Sequence, residues 1–385
     1  MRLAVITSGL GPGGAEMMLY KLLTRLDRRR FAPAVFSLRG DELFVKLLRE
    51  ADIAVHTANL GGPGGGLSGL LRLRRQLAGF RPHLLQGWMY HGNAAAWLAA
   101  RTLSPRPPVA WSVRQSLPDL AQERRGTALV VRACAQLSGQ AAAIVYNASQ
   151  AARDHEALGF DAARTRTIPN GFDTVACQPS VVAHAALRQE LGLPEGSLLA
   201  GLVARHHPVK NHAGFLAAAA AVAQALPAAH FVLVGQGVSA DNLALAALLS
   251  RHGLAGRCHL LGERRDIHQV TAAFDVAVCA SFTEGFPNVV GEAMACAVPC
   301  IVTDVGDCAS IVGDTGLVVP PRDTPALAAA MHQLLAAPAA ERAALGLAAR
   351  QRIERVFSID AVVHQYETLF ASLASKEGPC AASMA

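Results

Sequence analysis

Aromatic residues make up only 5% of the 385-residue chain and charged residues only 17%, against 52% hydrophobic. Such a chain can build large cores. Long apolar runs are scarce too. Residues 214–235 come nearest to a membrane span, but Gln224, Pro227 and His230 divide them into a helix followed by a strand. The start, MRLAVITSG, is a short apolar run with a turn behind it, which predicts a buried strand and not a signal peptide. The eight cysteines contain no C-x-x-C. Cys296, Cys300 and Cys308 lie close in sequence and are expected as small core residues of a helix and a strand, with a metal site as the competing reading. The expected compartment is therefore reducing and cytosolic, where the sequon Asn147-Ala148-Ser149 carries no meaning. No helix-turn-helix, zinc finger or basic-aromatic platform is present, so nucleic acid is not an expected partner.

What is present points to two ordinary domains. Abundant alanine suits helices packed on a sheet. The net charge of +6 is uneven: residues 1–180 hold 22 Lys+Arg against 12 Asp+Glu, residues 181–385 hold 13 against 17. A basic first half suggests a surface that meets anionic lipid or an anionic acceptor, or else an ordinary solvated face.

Apolar runs predict strands over residues 1–8, 33–38, 54–57, 83–86, 109–113, 143–146 and 165–168. Helices are expected at 41–50, 67–78, 93–102, 121–138 and 149–158. This alternation implies a parallel, doubly wound sheet. After the first strand, Gly9, Gly11 and Gly14 formally satisfy G-x-G-x-x-G, a dinucleotide fingerprint. The second strand ends in Arg39 instead of an acid, which leaves an NADP-linked oxidoreductase open as an alternative. Gly61–Gly66 is either an acceptor- or membrane-facing loop or a plain spacer. Gln86–Asn93 ends a strand and opens a helix, placing His91 at a strand end where ligands bind in such folds. Arg114, at the next strand end, is a weaker candidate for an acceptor or phosphate. Ile168-Pro169-Asn170-Gly171 stops a strand with a turn, with Asn170 architectural first.

The alternation restarts at Leu198–Val203, followed by Ala204–His212 and a helix from about Ala213. Arg205 and Lys210 flank this loop, adding two cations to a helix N-terminus, the arrangement a departing diphosphate needs; two solvated loop cations are the bland alternative. Further on, SFTEGFPNVVGEAMACAVPCIVTD reads as tight loop, helix from Asn288 and strand. Pro287 stands near the first helical position. Glu284 and Glu292, eight residues apart, are expected on the order of 8 Å from one another at about 1.5 Å per residue. Taken singly, either glutamate could be no more than a favourable charge near a helix dipole.

The string EGFPNVVGEAMACAVPCIVTDVG resembles the E-x7-E signature of the retaining glycosyltransferases of family 4, which have the GT-B fold. Gly13-Gly14-Ala15-Glu16 is similar to that family's glycine-rich first loop, and Trp88–Asn93 and Ile168–Asp173 resemble further family segments. Arg205–Asn211 resembles G-R-x-x-P-x-K-N, with Ala204 and His206 departing from it. Leu233–Gly237, Thr303–Asp307 and Gly316–Asp323 match later motifs, although Ala309 stands where many members carry an acid.

The resemblance implies an α/β GT-B protein with two doubly wound Rossmann-like domains facing a cleft. The expected division is 1–175 on the acceptor side and 176–357 binding the nucleotide sugar, with a helix at 358–375 crossing back and a disordered tail at 376–385. It also implies retaining transfer of a hexosyl group from a nucleoside diphosphate sugar, a UDP-sugar first, to a glycan or lipid-linked acceptor in cell-surface polysaccharide or glycoconjugate synthesis. No cofactor is implied, and the absence of D-x-D disfavours a metal route. By the family pattern, Arg205 and Lys210 would meet the departing diphosphate. Glu284 and the backbone of Phe286, Pro287 and Asn288 would hold the hexose, and Glu292 the ribose. Gly13, Gly14, Gly235, Gly262 and Arg264 would lie near the donor, and His91 at the reacting sugar. The expected location is cytoplasmic, and the basic first half adds the inner face of the membrane as a surface it could meet. A catalytically weak scaffold of the same fold is the other alternative.

Overall fold

The structure is a computed structural model and describes residues 1–40, 42–60 and 65–375. Most of the Gly61–Gly66 loop and the expected tail at 376–385 lie outside the described residues. The chain divides into two compact units, Met1–Gly171 together with the segment from Ile359, and Phe172–Ser358. The division falls at Gly171/Phe172 and not at 175/176. Phe172 already belongs to the second unit: its ring stacks on Phe286, and its N–H donates to the Phe357 carbonyl at 2.8 Å.

The first unit alternates strand and helix: β1 (Arg2–Thr7), α1 (Gly14–Arg25), β2 (Ala32–Ser37), α2 (Leu43–Glu50), β3 (Ala54–Thr57), α3 (Gly65–Phe80), β4 (Leu84–Trp88), α4 (Met89–Ala100), β5 (Val109–Val113), α5 (Arg125–Leu137), β6 (Ala143–Tyr146), α6 (Ser149–Ala157) and β7 (Thr165–Thr167). The seven strands are parallel in the order β3-β2-β1-β4-β5-β6-β7. Continuous apolar runs such as Leu3–Ile6 are wholly buried, as strands covered by helices on both faces must be. The closing helix, Ile359–Ser375, belongs to this unit and sinks Ile359, Val362, Val363, Tyr366, Phe370 and Leu373 into its core. At roughly 1.5–3 kcal/mol for each large side chain buried, that helix is integral to the unit.

The second unit repeats the plan: α7 (Val181–Glu190), β8 (Leu198–Val203), α8 (His212–Ala225), β9 (Ala229–Val234), α9 (Leu243–Arg251), β10 (Cys258–Leu260), α10 (Ile267–Ala272), β11 (Val276–Cys279), α11 (Asn288–Ala295), β12 (Cys300–Thr303), α12 (Cys308–Val312), β13 (Gly316–Val319), α13 (Thr324–Ala336) and α14 (Ala339–Arg352). The closing helix is α15. Six parallel strands run in the order β10-β9-β8-β11-β12-β13. Apolar clusters cover both faces of the sheet, and Cys296, Cys300 and Cys308 are buried in one of them. Side-chain caps start several helices: Ser180 for α7, Asn242 for α9 and Asp323 for α13.

Two elements differ from expectation. Helix α4 begins at Met89 and not at 93, because Met89 takes a left-handed φ of 62° and turns the chain straight from β4 into the helix. The sequence over 340–356 reads as one helix, but α14 ends at Arg352 and loosens into a π turn, Ile353–Phe357.

Candidate active site

In an open parallel sheet the loops diverge, and leave a crevice, where the strand order reverses. In the second unit that point lies between β8 and β11. A cavity of about 340 Å³ opens there, lined by Ala204 and Arg205 after β8, Lys210, Ser281 and Glu284 after β11, and Phe286, Pro287, Asn288 and Val289 at the start of α11. Sequence-expected residues from two distant segments thus share one wall. A larger cavity of about 560 Å³ exists in the first unit. It is walled by residues preceding the strands, among them Phe31, His83 and Pro108, and so faces the opposite edge of its sheet from the crevice.

Lys210 and Glu284 form the polar centre of the smaller cavity. The Lys210 Nζ donates to Glu284 Oε1 at 2.5 Å, and the side chains are 26% and 11% exposed. Ser281 Oγ donates to the same oxygen at 2.6 Å. An ammonium has three donors, so this contact leaves two for a ligand. Arg205 is exposed at the rim. The start of α11 contributes a helix N-terminus, with Pro287 as its N-cap. Cation, carboxylate and helix terminus together suit a ligand carrying both phosphate and hydroxyl groups.

Backbone contacts shape the cavity. Asn211, at φ 54°, ends the Pro208–Lys210 turn, and its side chain accepts from the Gly214 N–H at 3.0 Å to cap α8. The Phe282 N–H donates to the Val209 carbonyl at 2.8 Å, tying the lysine loop to the glutamate loop. Thr303 Oγ1 donates to the Ser281 carbonyl at 2.7 Å, and the Asp307 N–H to the Gly285 carbonyl at 2.9 Å. Gly306, at φ 56°, lies where any Cβ would run into the Glu284 and Gly285 carbonyls. The segment Thr303–Asp307 is thus a brace behind Glu284, a role that pairing across the sequence hid. Gly235 is similar: a Cβ there would strike the Ala204 carbonyl and crowd the Arg205 nitrogen, so it lets β9 support the arginine loop.

The other expected residues lie elsewhere. Gly262, at φ 66°, joins this support by accepting from the Gly235 N–H at 2.8 Å but does not line the cavity. Glu292 is half-buried within α11, outside the lining. Arg264 is held by Asp266 at 2.7 Å and then Glu190 at 2.6 Å, which raise its pKa in that order, and it does not line the cavity either.

Gly13, Gly14 and His91 belong to the first unit, at the carboxyl edge by β1 and β4, its own switch point. Gly13 is the N-cap of α1 and is exposed with Gly14. His91 is exposed in the first turn of α4; partial desolvation and then Arg39 hold its pKa below the ordinary imidazole value. The Glu42 carboxylate accepts from the Leu10 N–H, occupying the glycine-rich loop with a protein carboxylate. Arg114 is corrected from an acceptor candidate to a structural residue. Its buried guanidinium donates to the Tyr366 hydroxyl at 2.7 Å, the Ile168 carbonyl at 3.3 Å and the Asn170 Oδ1, joining β5, the turn after β7 and α15.

Residues 12–175 match the family model for Glycosyltransferase Family 4, and residues 198–337 that for glycosyl transferases group 1. The chain belongs to the family 4 glycosyltransferases of GT-B fold. This glycosyltransferase is 24% identical over 330 residues to the putative glycosyltransferase EpsF of Bacillus subtilis (strain 168), spanning 79% of each chain. It is 33% identical over 150 residues to the Escherichia coli UDP-Gal:alpha-D-GlcNAc-diphosphoundecaprenol alpha-1,3-galactosyltransferase, spanning only 38% of each. Its fold is that of Anabaena Alr3699/HepE, solved in complex with UDP, at a TM-score of 0.83 and 23% identity over 97% of this chain and 100% of that one. Membership of this family leaves the oxidoreductase alternative without support.

Proposed function

We propose that this glycosyltransferase moves a hexosyl group, with retention and without a metal, from a UDP-sugar to a glycan or lipid-linked acceptor in cell-surface polysaccharide or glycoconjugate synthesis. The work would be done at the cytoplasmic face of the membrane. The observation that carries the reading is the meeting of Lys210, Arg205, Glu284 and the start of α11 around one cavity at the switch point of the second unit. The relatives favour the UDP-sugar and the lipid-linked acceptor, since the named activity of the E. coli protein uses UDP-Gal and a diphosphoundecaprenol acceptor, and HepE was solved with UDP.

In this reading Lys210, Arg205 and the helix terminus stabilise the charge developing on the departing diphosphate. Glu284 stays bonded to Lys210 through Oε1 and turns its other oxygen to the hexose hydroxyls. The Phe286–Asn288 backbone completes the sugar site and Glu292 takes the ribose. The acceptor attacks from the face the diphosphate leaves, and a donor phosphate oxygen takes its proton. Gly235 and Gly262 act by supporting the loops, Arg264 stands at the nucleotide side, and Gly13, Gly14 and His91 serve donor and acceptor from the first unit. The purified protein should slowly hydrolyse its UDP-sugar in the absence of acceptor and with a chelator present. Tight binding without any turnover would favour the scaffold alternative, and no binding of UDP-, GDP- or ADP-sugars in a thermal-shift screen would remove both.

A further inference from the structure

Among the described residues, one side of α3 presents exposed apolar side chains. Leu67, Leu70 and Leu71 are 74%, 38% and 57% exposed there, while Leu73 and Leu77 face the core. At 100° per residue, Leu67, Leu71, Arg74 and Arg75 fall within an arc of about 100° turned away from Leu73 and Leu77, and Leu70 lies at the border with the buried side. The leucines occupy its first turns, at the carboxyl edge of the sheet by β3, and Arg72, Arg74 and Arg75 follow one turn on, all exposed. The neighbouring helix α4 adds Leu98, 46% exposed, and after it Arg101, whose guanidinium lies 3.4 Å over the Trp97 ring. Residues 53–118 contain seven arginines and not one Asp or Glu. A solvated helix face normally mixes both signs, whereas exposed leucines beside a run of arginines on one helix have the make-up of a face that lies on a lipid surface.

We propose that this face of α3, extended by α4, docks the protein on an anionic lipid surface. Leu67, Leu70 and Leu71 enter the acyl boundary, and Arg72, Arg74 and Arg75 lie among the headgroup phosphates. Charge and exposure define this surface, whichever donor the second unit takes. It places Leu67, Leu70 and Leu71 at the carboxyl edge of the first sheet, the edge that carries His91 and the glycine-rich loop, with Leu98 and Arg101 toward the other edge.

The test is flotation of the full chain with phosphatidylcholine vesicles with and without phosphatidylglycerol. Wild type should float with the anionic vesicles only, and release as salt is raised. Replacing Arg72, Arg74 and Arg75 together by Gln should lower partitioning about 100-fold, at roughly 1 kcal/mol per arginine. Leu67→Gln with Leu71→Gln should lower it about 10-fold with all charges kept. Because these side chains are exposed, the thermal unfolding of both variants should match wild type. Wild type that fails to float, or leucine variants that float as well as wild type, would overturn the proposal. So would sedimentation showing a dimer that the leucine changes dissolve, since the face would then be a subunit interface. Binding to a short duplex DNA that competes with the vesicles and ignores the leucine changes would instead reveal bare polyanion attraction, which also overturns it.

Discussion

Both units place a switch point beside their first strand, between β1 and β4 in one and between β8 and β11 in the other, yet different chemistry stands on the two edges. The second unit closes a cavity around a part-buried ion pair and supports its loops with glycines. The first unit leaves Gly13, Gly14 and His91 exposed, with Arg39 near the histidine and the Glu42 carboxylate in the glycine-rich loop. By unit, the sequence carries 23 Lys+Arg against 14 Asp+Glu in the first and 12 against 15 in the second. Even their buried arginines differ. Arg188 in the second unit meets a carboxylate, Asp275, at 2.6 Å, while Arg114 in the first bonds a phenol, an amide oxygen and carbonyls. One fold thus carries an enclosed polar cavity in one unit and an open, arginine-rich face in the other.

Lys210→Ala and Glu284→Ala should separate the two units most clearly. Either should cut glycosyl transfer by about 10²–10³-fold or more, with unfolding by circular dichroism little changed. Near-normal turnover would show that the second unit's cavity is not where the chemistry happens. Arg114→Met should act in the opposite sense, costing about 3 kcal/mol of stability in urea by stranding Tyr366 and the carbonyls it binds. UDP affinity should stay at the wild-type value, and a specific loss of affinity would give Arg114 a ligand role after all.

The units should also respond to acid. His212, only 3% exposed in the second unit, has its pKa lowered to about 4, first by burial and then by His206, with Lys210 adding a smaller effect. Its unfolded form takes a proton near pH 6.5 and its folded form resists, so its stabilisation is complete above pH 6.5 and fades as pH falls toward 4. The loss should reach roughly 3 kcal/mol at most. His212→Phe should flatten the fall in unfolding free energy between pH 6.5 and 4; an unchanged slope would contradict this. The smallest effect separates two glycines. Gly235→Ala should cost about 2 kcal/mol and weaken donor binding, because its Cβ meets backbone behind Arg205. Gly262→Ala should cost only about 1 kcal/mol, because its Cβ meets open space and only the positive φ is strained.

The sequence made some of this legible. Strands such as Leu198–Val203 and Val109–Val113 are plain in their apolar runs, and α13 follows from Asp323 as cap with Pro325 in the first turn. The cations and the glutamates were each visible as residues at helix starts. Their meeting was not, because Lys210 and Glu284 are 74 residues apart and only the parallel pairing of β8 with β11 brings them together. Gly306 and Gly235 looked like turn residues; their close approach to carbonyls of other loops is a tertiary fact. Arg114 misled because a strand-end arginine suggests a ligand, while α15, far along the chain, supplies the hydroxyl that claims it. The left-handed Met89 had no local signal at all, since neither glycine nor asparagine marks the turn.

The central claim is that the second unit's cavity binds a nucleoside diphosphate sugar through Lys210 and its neighbours. Isothermal titration of UDP and UDP-glucose into wild type and Lys210→Ala, with a chelator present throughout, tests it most directly. Wild type should bind without any divalent cation, and the variant should lose about 10–100-fold, the worth of one charge-assisted contact. Equal affinity in the two proteins, or binding that appears only when magnesium is restored, would contradict it.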